Sequence, residues 1–327
     1  MHITRRDCLS RMARTSTGTL GISTLAGHVW DQPRLVAEDR PDQRPAESGC
    51  TFGFSTYGLK SLSTEKCVQV VADVGFDTIE IAARPDWDAA PRRMTKPRRQ
   101  HVRQLLSDRG LGLSALMEHL QPARESKQQQ ENLDRLKRVA DLGQDLTSDA
   151  IGMIQTTLGG GNWEQNKSLY RDRLADWVAI GQKMRTVIAI KPHRGGGMSR
   201  PAEAVWLIEQ LGKSPWLKIV YDYSHYAFRD MSVRQTVEVA SPYLGHVAIK
   251  DAVRDGKRIV FKLPGASKMF DYAQLLDLLY RRGYRADICC EVSGMVWGQP
   301  GYDPLRAAAD CYRAISPLFK EAGVPRR

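Results

Sequence analysis

Four apolar runs in the second half of the chain each end in a charged residue: A-I-K-P-H-R at 189–194, V-Y-D-Y-S-H at 220–225, A-I-K-D at 248–251 and C-C-E at 289–291. An ammonium can polarise a carbonyl, and a carboxylate or imidazole can move a proton or hold a hydroxyl. Lys191, Asp222, Lys250 and Glu291 supply the first two chemistries, and His193 and His225 follow two of the runs closely. Two further candidates lie earlier, Glu80 in T-I-E-I-A and Glu118-His119 after S-A-L-M. Charged groups at the ends of apolar runs are costly to bury without a task, which marks them as site candidates.

Their positions depend on the elements that carry them. Short apolar runs near 51–56, 78–82, 111–118, 150–156, 187–191, 217–222, 246–250 and 288–291 alternate with amphipathic stretches near 63–74, 96–109, 126–142, 164–184, 200–211, 231–240, 271–282 and 303–319. Such alternation reads as parallel strands joined by helices, and this many units over this length predicts a single-domain (β/α)8 TIM barrel across 51–327. In that fold the strand ends converge on one face. Alternation along a strand sends His246, Ala248 and Lys250 the same way, and with Glu291 inward it sends Cys289 inward and Cys290 outward. Ser63 predicts a helix start, and Gly75, Gly110, Gly212 and Gly283 predict helix stops. The segment after the seventh strand, R-D-G-K followed by R-I-V-F-K-L, predicts a hairpin over the barrel mouth. Gly159-Gly160-Gly161 and Gly195-Gly196-Gly197 read as mobile loops at the same mouth, without phosphate-cradle spacing. An open doubly wound sheet is the alternative, disfavoured because no Gly-rich fingerprint follows the first strand.

A 42% hydrophobic, 26% charged composition fits a globular protein, and the net charge of +11 raises the prior for an anionic ligand. The basic clusters lack interleaved aromatics, so a nucleic-acid groove is not expected. Six cysteines show neither zinc-site nor disulfide-scaffold spacing. Residues 1–30, with Arg5-Arg6 ahead of an uncharged stretch from Thr15 to Val29, resemble a twin-arginine export signal, which predicts a periplasmic or otherwise exported protein, with a cytoplasmic one as the alternative. Residues 31–50 read as a polar, Pro-containing linker, and no membrane span is expected.

D-Y-S-H at 222–225, H-V-A-I-K-D at 246–251, L-P-G at 263–265 and C-E-V at 290–292 together resemble the xylose isomerase-like TIM barrels, a superfamily of sugar and sugar-phosphate isomerases and epimerases, inosose-type dehydratases and the endonuclease IV group. The resemblance implies a divalent Mn²⁺, Mg²⁺, Co²⁺ or Zn²⁺ ion held by a Glu, an Asp, a His and a Glu on strands five to eight. Asp222 and Glu291 match two of those ligands. Lys191 stands where the first Glu is usual, in A-I-K-P-H, and Ala248 where the His is usual, with His246 one side-chain step deeper.

Three outcomes follow for the site: a metal-free enzyme with the Lys191 ammonium in the ion's place, a metal centre completed by His225 or His246, or a ligand-binding barrel without catalysis. The leading expectation is an isomerase or epimerase of a small sugar, polyol or sugar derivative, with dehydration as a variant. Glu291, Lys191 and Asp222 would be catalytic, and His193, His225, Lys250, Glu80 and Glu118 would bind substrate. A non-catalytic carbohydrate-binding barrel and, less favoured, abasic-site DNA cleavage are the alternatives.

Overall fold

The computed structural model describes residues 49–147 and 152–327. The export signal expected at 1–30 and all but the last residues of the linker expected at 31–50 lie outside the described residues. Within them, eight parallel strands close into a barrel in the order β1-β10-β7-β6-β5-β4-β3-β2. The strands are β1 (Thr51–Ser55), β2 (Thr78–Ala82), β3 (Gly112–Met117), β4 (Gly152–Thr156), β5 (Thr186–Ile190), β6 (Leu217–Tyr221), β7 (Leu244–Ile249) and β10 (Asp287–Cys290). Helices α1 (Thr64–Val74), α2 (Lys96–Asp108), α3 (Ser126–Leu146), α4 (Trp163–Lys183), α5 (Pro201–Gln210), α6 (Val233–Ala240), α7 (Tyr272–Arg281) and α9 (Pro304–Glu321) connect them, with a short α8 (Gly294–Trp297) over the mouth. No helix among these residues is long and apolar enough to cross a membrane.

Helix boundaries follow local chemistry. Ser63 accepts the Lys66 amide at the start of α1, and Gly75 closes that helix in the left-handed region at φ 103°. Asp271 and Asp303 cap α7 and α9 in the same way. Each helix lays an apolar stripe on the outward strand residues, among them Phe52, Phe54, Ile79, Ile81, Ile188, Ile219 and Ile288, all buried. Cys290 sits in this outer core, as alternation predicted, and Cys289 faces inward beside Glu80 and His246.

The inward face is more polar than in most such barrels, where branched apolar residues dominate. Thr78, Glu80, Gln155, His246 and Asp287 are all buried there. Gly53 on β1 makes room for them: a Cβ at that position would strike the Thr78 hydroxyl and come within 2.9 Å of Asp287 Oδ2. Gly53→Ala is therefore expected to lower stability by about 1–3 kcal/mol through overpacking, read as a reduced urea midpoint.

Two loop expectations meet different outcomes. The hairpin forms, from β8 (Asp251–Asp255) and β9 (Arg258–Lys262), antiparallel over the mouth. The two Gly-rich segments are not independent mobile loops: Gly160 and Gly196 form a bridge, and the Gly197 amide donates to the Gly159 carbonyl at 2.9 Å. Glycine is needed because the backbones pass so close, and a Cβ on Gly197 would overlap the Tyr170 hydroxyl.

Candidate active site

Lys191, Asp222, Lys250 and Glu291 each follow directly on a barrel strand rather than ending it, since β5, β6, β7 and β10 stop one residue earlier. Backbone pairing still fixes them, with the Lys191 amide donating to Thr156 O at 2.8 Å and the Glu291 amide to Ile249 O at 3.0 Å. Their side chains meet inside the mouth. Lys250 Nζ donates to Asp222 Oδ2 at 2.5 Å and to Glu291 Oε1 at 2.6 Å. Lys191 Nζ donates to Glu291 Oε2 at 2.5 Å and lies 3.7 Å from Asp222 Oδ2.

All four are buried, and two ammoniums balance two carboxylates. The attraction outweighs the cost of burial: although desolvation is the largest influence on each and opposes the charged form, the opposite charges hold the Glu291 carboxyl well below its usual range and push Lys250 above its own. Glu291 is thus a stable carboxylate, and a weaker base than an unpaired one.

D-Y-S-H places the next groups. Asp222 accepts from the Ser224 amide at 3.2 Å and the Ser224 hydroxyl at 2.5 Å, which folds residues 223–225 into one tight turn. That turn brings His225 Nε2 to 3.4 Å from Asp222 Oδ2. Its Nδ1 accepts the Arg194 amide at 3.3 Å, so the ring proton resides on Nε2, facing the carboxylate. His193 lies against His225 with ring centroids 4.0 Å apart. Burial and then the nearby lysines lower His193 to about 4 and hold His225 well below 6.5, so both rings are neutral at pH 7. Phe261 of the hairpin packs on His225 at 5.3 Å and covers the Lys250 ammonium at 5.3 Å.

The other expected residues go elsewhere. Glu118 is held by Arg135 at 2.6 Å and by the His119 amide at 2.7 Å. Glu80 and His246 lie in the lower interior, with His246 Nε2 3.3 Å from Glu80 Oε2 and the Gln155 amide donating to that oxygen at 2.6 Å. On β7 the side chain of Ala248 stands between His246 and Lys250 and joins Ala189 and Val220 in a small apolar cluster.

Two groups had no role in the sequence reading. Tyr57 stacks on Trp87 at 5.2 Å and 15°, and Trp297 stands edge-on to both, forming an aromatic roof under Lys60 and Arg84. The Nε1 groups of Trp87 and Trp297 are buried without a hydrogen-bond partner. Asp251, the second half of K-D, accepts from the Gly265 and Ser267 amides and the Tyr272 hydroxyl, fastening the L-P-G segment down. Only the roof had a visible signal, Trp297 just beyond the eighth strand.

The strand-end residues do not fit a divalent ion. Both carboxylates are already engaged by ammoniums, and one unit charge about 4 Å from a dication repels it by on the order of 8 kcal/mol at an effective dielectric near 20. His225 offers no free lone pair toward Asp222, and His246 belongs to the layer below. The arrangement is a buried cluster of two ammoniums and two carboxylates, closed on itself by hydrogen bonds.

An eight-stranded parallel barrel with charged groups gathered at the C-terminal strand ends defines a class of α/β barrel with its site in the mouth. The family model of the xylose isomerase-like TIM barrels matches residues 68–315, and the chain belongs to that family. No curated protein sequence matches it. Similar solved structures include 3-keto-D-glucoside 4-epimerase, YcjR, from E. coli, at 15% identity and TM-score 0.65, covering 82% of this chain and 99% of that one. D-psicose 3-epimerase, solved in the presence of D-fructose, is similar at 16% identity and TM-score 0.65 over 84% and 99% of the two chains. The IOLI protein, solved with a bound zinc atom, is similar at 14% identity and TM-score 0.69 over 83% and 99%.

Proposed function

We propose that the strand-end pocket acts on a small sugar, polyol or sugar derivative by moving a proton next to a carbonyl, as an isomerase or epimerase, with lysine ammoniums supplying the positive charge. The observation that carries this reading is Lys191, whose ammonium bonds Glu291 Oε2 while Lys250 holds Oε1 of the same carboxylate. A substrate carbonyl that draws the Lys191 ammonium to itself gains an electrophilic partner and releases Oε2. Glu291, still fixed by Lys250, then accepts the adjacent C–H proton and returns it. Neutral His193 offers a partner for a hydroxyl. The half-buried Tyr57 and Trp297 of the aromatic roof offer apolar ring surface for the C–H side of a sugar ring. Carbohydrate epimerases among the structural neighbours support a substrate of this class.

A second reading, a carbohydrate-binding barrel without turnover, is favoured by the mutual neutralisation of the four charges. One experiment separates the two. Ketoses and 3-keto sugars are incubated with the protein in D₂O, and deuterium incorporation next to the carbonyl is followed by NMR. Incorporation that drops by at least ~100-fold in both Lys191→Ala and Glu291→Gln supports proton transfer. Binding with no incorporation in the parent establishes the second reading, and unimpaired exchange in both variants removes these residues from the chemistry.

A further inference from the structure

We infer that the barrel interior carries a zinc site one layer below the strand ends, formed by Glu80 of β2, His246 of β7 and Cys289 of β10. One donor atom from each lies within 4.8 Å of the other two, and all three residues are at most 1% exposed. Buried polar atoms are normally hydrogen-bonded, yet His246 Nε2, like His225 Nε2 in the layer above, has no well-aligned partner, and unlike His225 it has a thiol and a carboxylate within ligand distance. It faces Glu80 Oε2 at 3.3 Å, a separation that two ligands of one metal ion also adopt.

The surroundings match what metal-bound groups require. Gln155 holds Glu80 in place through its amide, at 2.6 Å. His246 Nδ1 points toward Asp287 Oδ2 at 4.0 Å, and that oxygen is itself buried without a hydrogen-bond partner. Asp287 Oδ1 is occupied by the hydroxyls of Thr51 and Thr78, which anchor the carboxyl beneath the imidazole. At 4.0 Å the approach of Asp287 to His246 is no hydrogen bond, but it places a carboxylate on the side of the ring where a zinc-bound histidine usually has its outer support. Gly53 keeps this space open, since any side chain there would meet Asp287 and Thr78.

The donor set selects the element. Thiolate, imidazole and carboxylate together suit Zn²⁺, whereas Mg²⁺ and Ca²⁺ favour oxygen alone. On binding, a Zn–S bond replaces the Cys289 S–H bond and the proton leaves to solvent, so thiolate and Glu80 carboxylate balance the dication. Ala248 separates His246 from Lys250 along β7, so this site is distinct from the lysine–carboxylate group above it. With donors so deeply buried, the ion enters as the chain folds.

The test uses the full chain expressed in zinc- or cobalt-supplemented medium. The zinc-grown protein should retain about one equivalent of metal through dialysis against EDTA. The cobalt-grown protein should show a thiolate-to-cobalt charge-transfer band, absent from Cys289→Ser, and His246→Ala should lose most of the bound metal. Metal-free protein from both media, or bound cobalt without a thiolate band, overturns the assignment, and neither observation needs a variant to fold. Folded Cys289→Ser and His246→Ala proteins that keep the parent's metal content overturn it as well.

Discussion

Lys250→Met is expected to destabilise the chain by about 3–5 kcal/mol, the usual cost of removing one partner from a buried ion pair. Lys250 is the bridge of the strand-end group, donating to Asp222 at 2.5 Å and to Glu291 at 2.6 Å from a site where it is 3% exposed. Without it, two buried carboxylates share the single Lys191 ammonium, and one of them must protonate or draw in water. Lys191→Met should cost less, because Lys191 makes one close contact, with Glu291, and stands 3.7 Å from Asp222. Urea unfolding at neutral pH measures both. An order reversed, or a Lys250→Met midpoint equal to the parent's, would show that Lys250 does not bridge the two acids. The size of the loss says nothing of the pair's worth against an apolar replacement of the whole group, which is often small.

Acid should unfold the protein earlier than its carboxylates alone require. His193 is lowered from 6.5 to about 4 by burial and by Lys250 and Lys191. Between those values the unfolded chain binds a proton that the folded one refuses, so stability is complete above pH 6.5 and drains away as pH falls toward 4. A depression of this size is worth on the order of 3 kcal/mol. His225, fully buried and also lowered, acts in the same direction. Glu291 extends the decline below its ordinary 4.5, since its folded carboxyl titrates lower still. Urea midpoints at pH 6.5 and pH 4 give the slope, and His193→Gln should flatten it. A parent whose stability is unchanged across that window would mean that His193 is protonated in the folded state.

Much of this was legible in the sequence because periodicity and capping act locally. Apolar runs with charged ends located the strands to within a residue or two, and Ser63 and Gly75 fixed helix ends that the fold reproduces. Alternation correctly sent Cys289 inward and Cys290 outward. Depth was not legible. Alternation says that Glu80 and His246 point into the barrel, but the stagger between strands decides which residues share a level, and a register shift between Ile79 and Glu80 on β2 alters that count. The same blindness hid the bridging role of Lys250: the family resemblance singled out Lys191 as the odd residue, while only the closed barrel brings both ammoniums to one carboxylate. The aromatic roof was only partly legible, since Trp297 follows the eighth strand but Tyr57 and Trp87 come from two other segments with no common spacing.

The pairing of the two glycine-rich segments also bears on how a ligand enters. Gly160 and Gly196 join the connections after β4 and β5 through the backbone, with the Gly197 amide on the Gly159 carbonyl and the Tyr170 hydroxyl on the Gly160 carbonyl at 3.3 Å. His193 hangs from the second of these connections. The hydrogen bonds of this stitch carry no formal charge, so salt has nothing to screen there and acid no carboxylate or imidazole to titrate. It can open only by parting the two strands of backbone together. The connection that carries His193 is thereby tied to the one after β4, so displacing it means breaking these main-chain contacts.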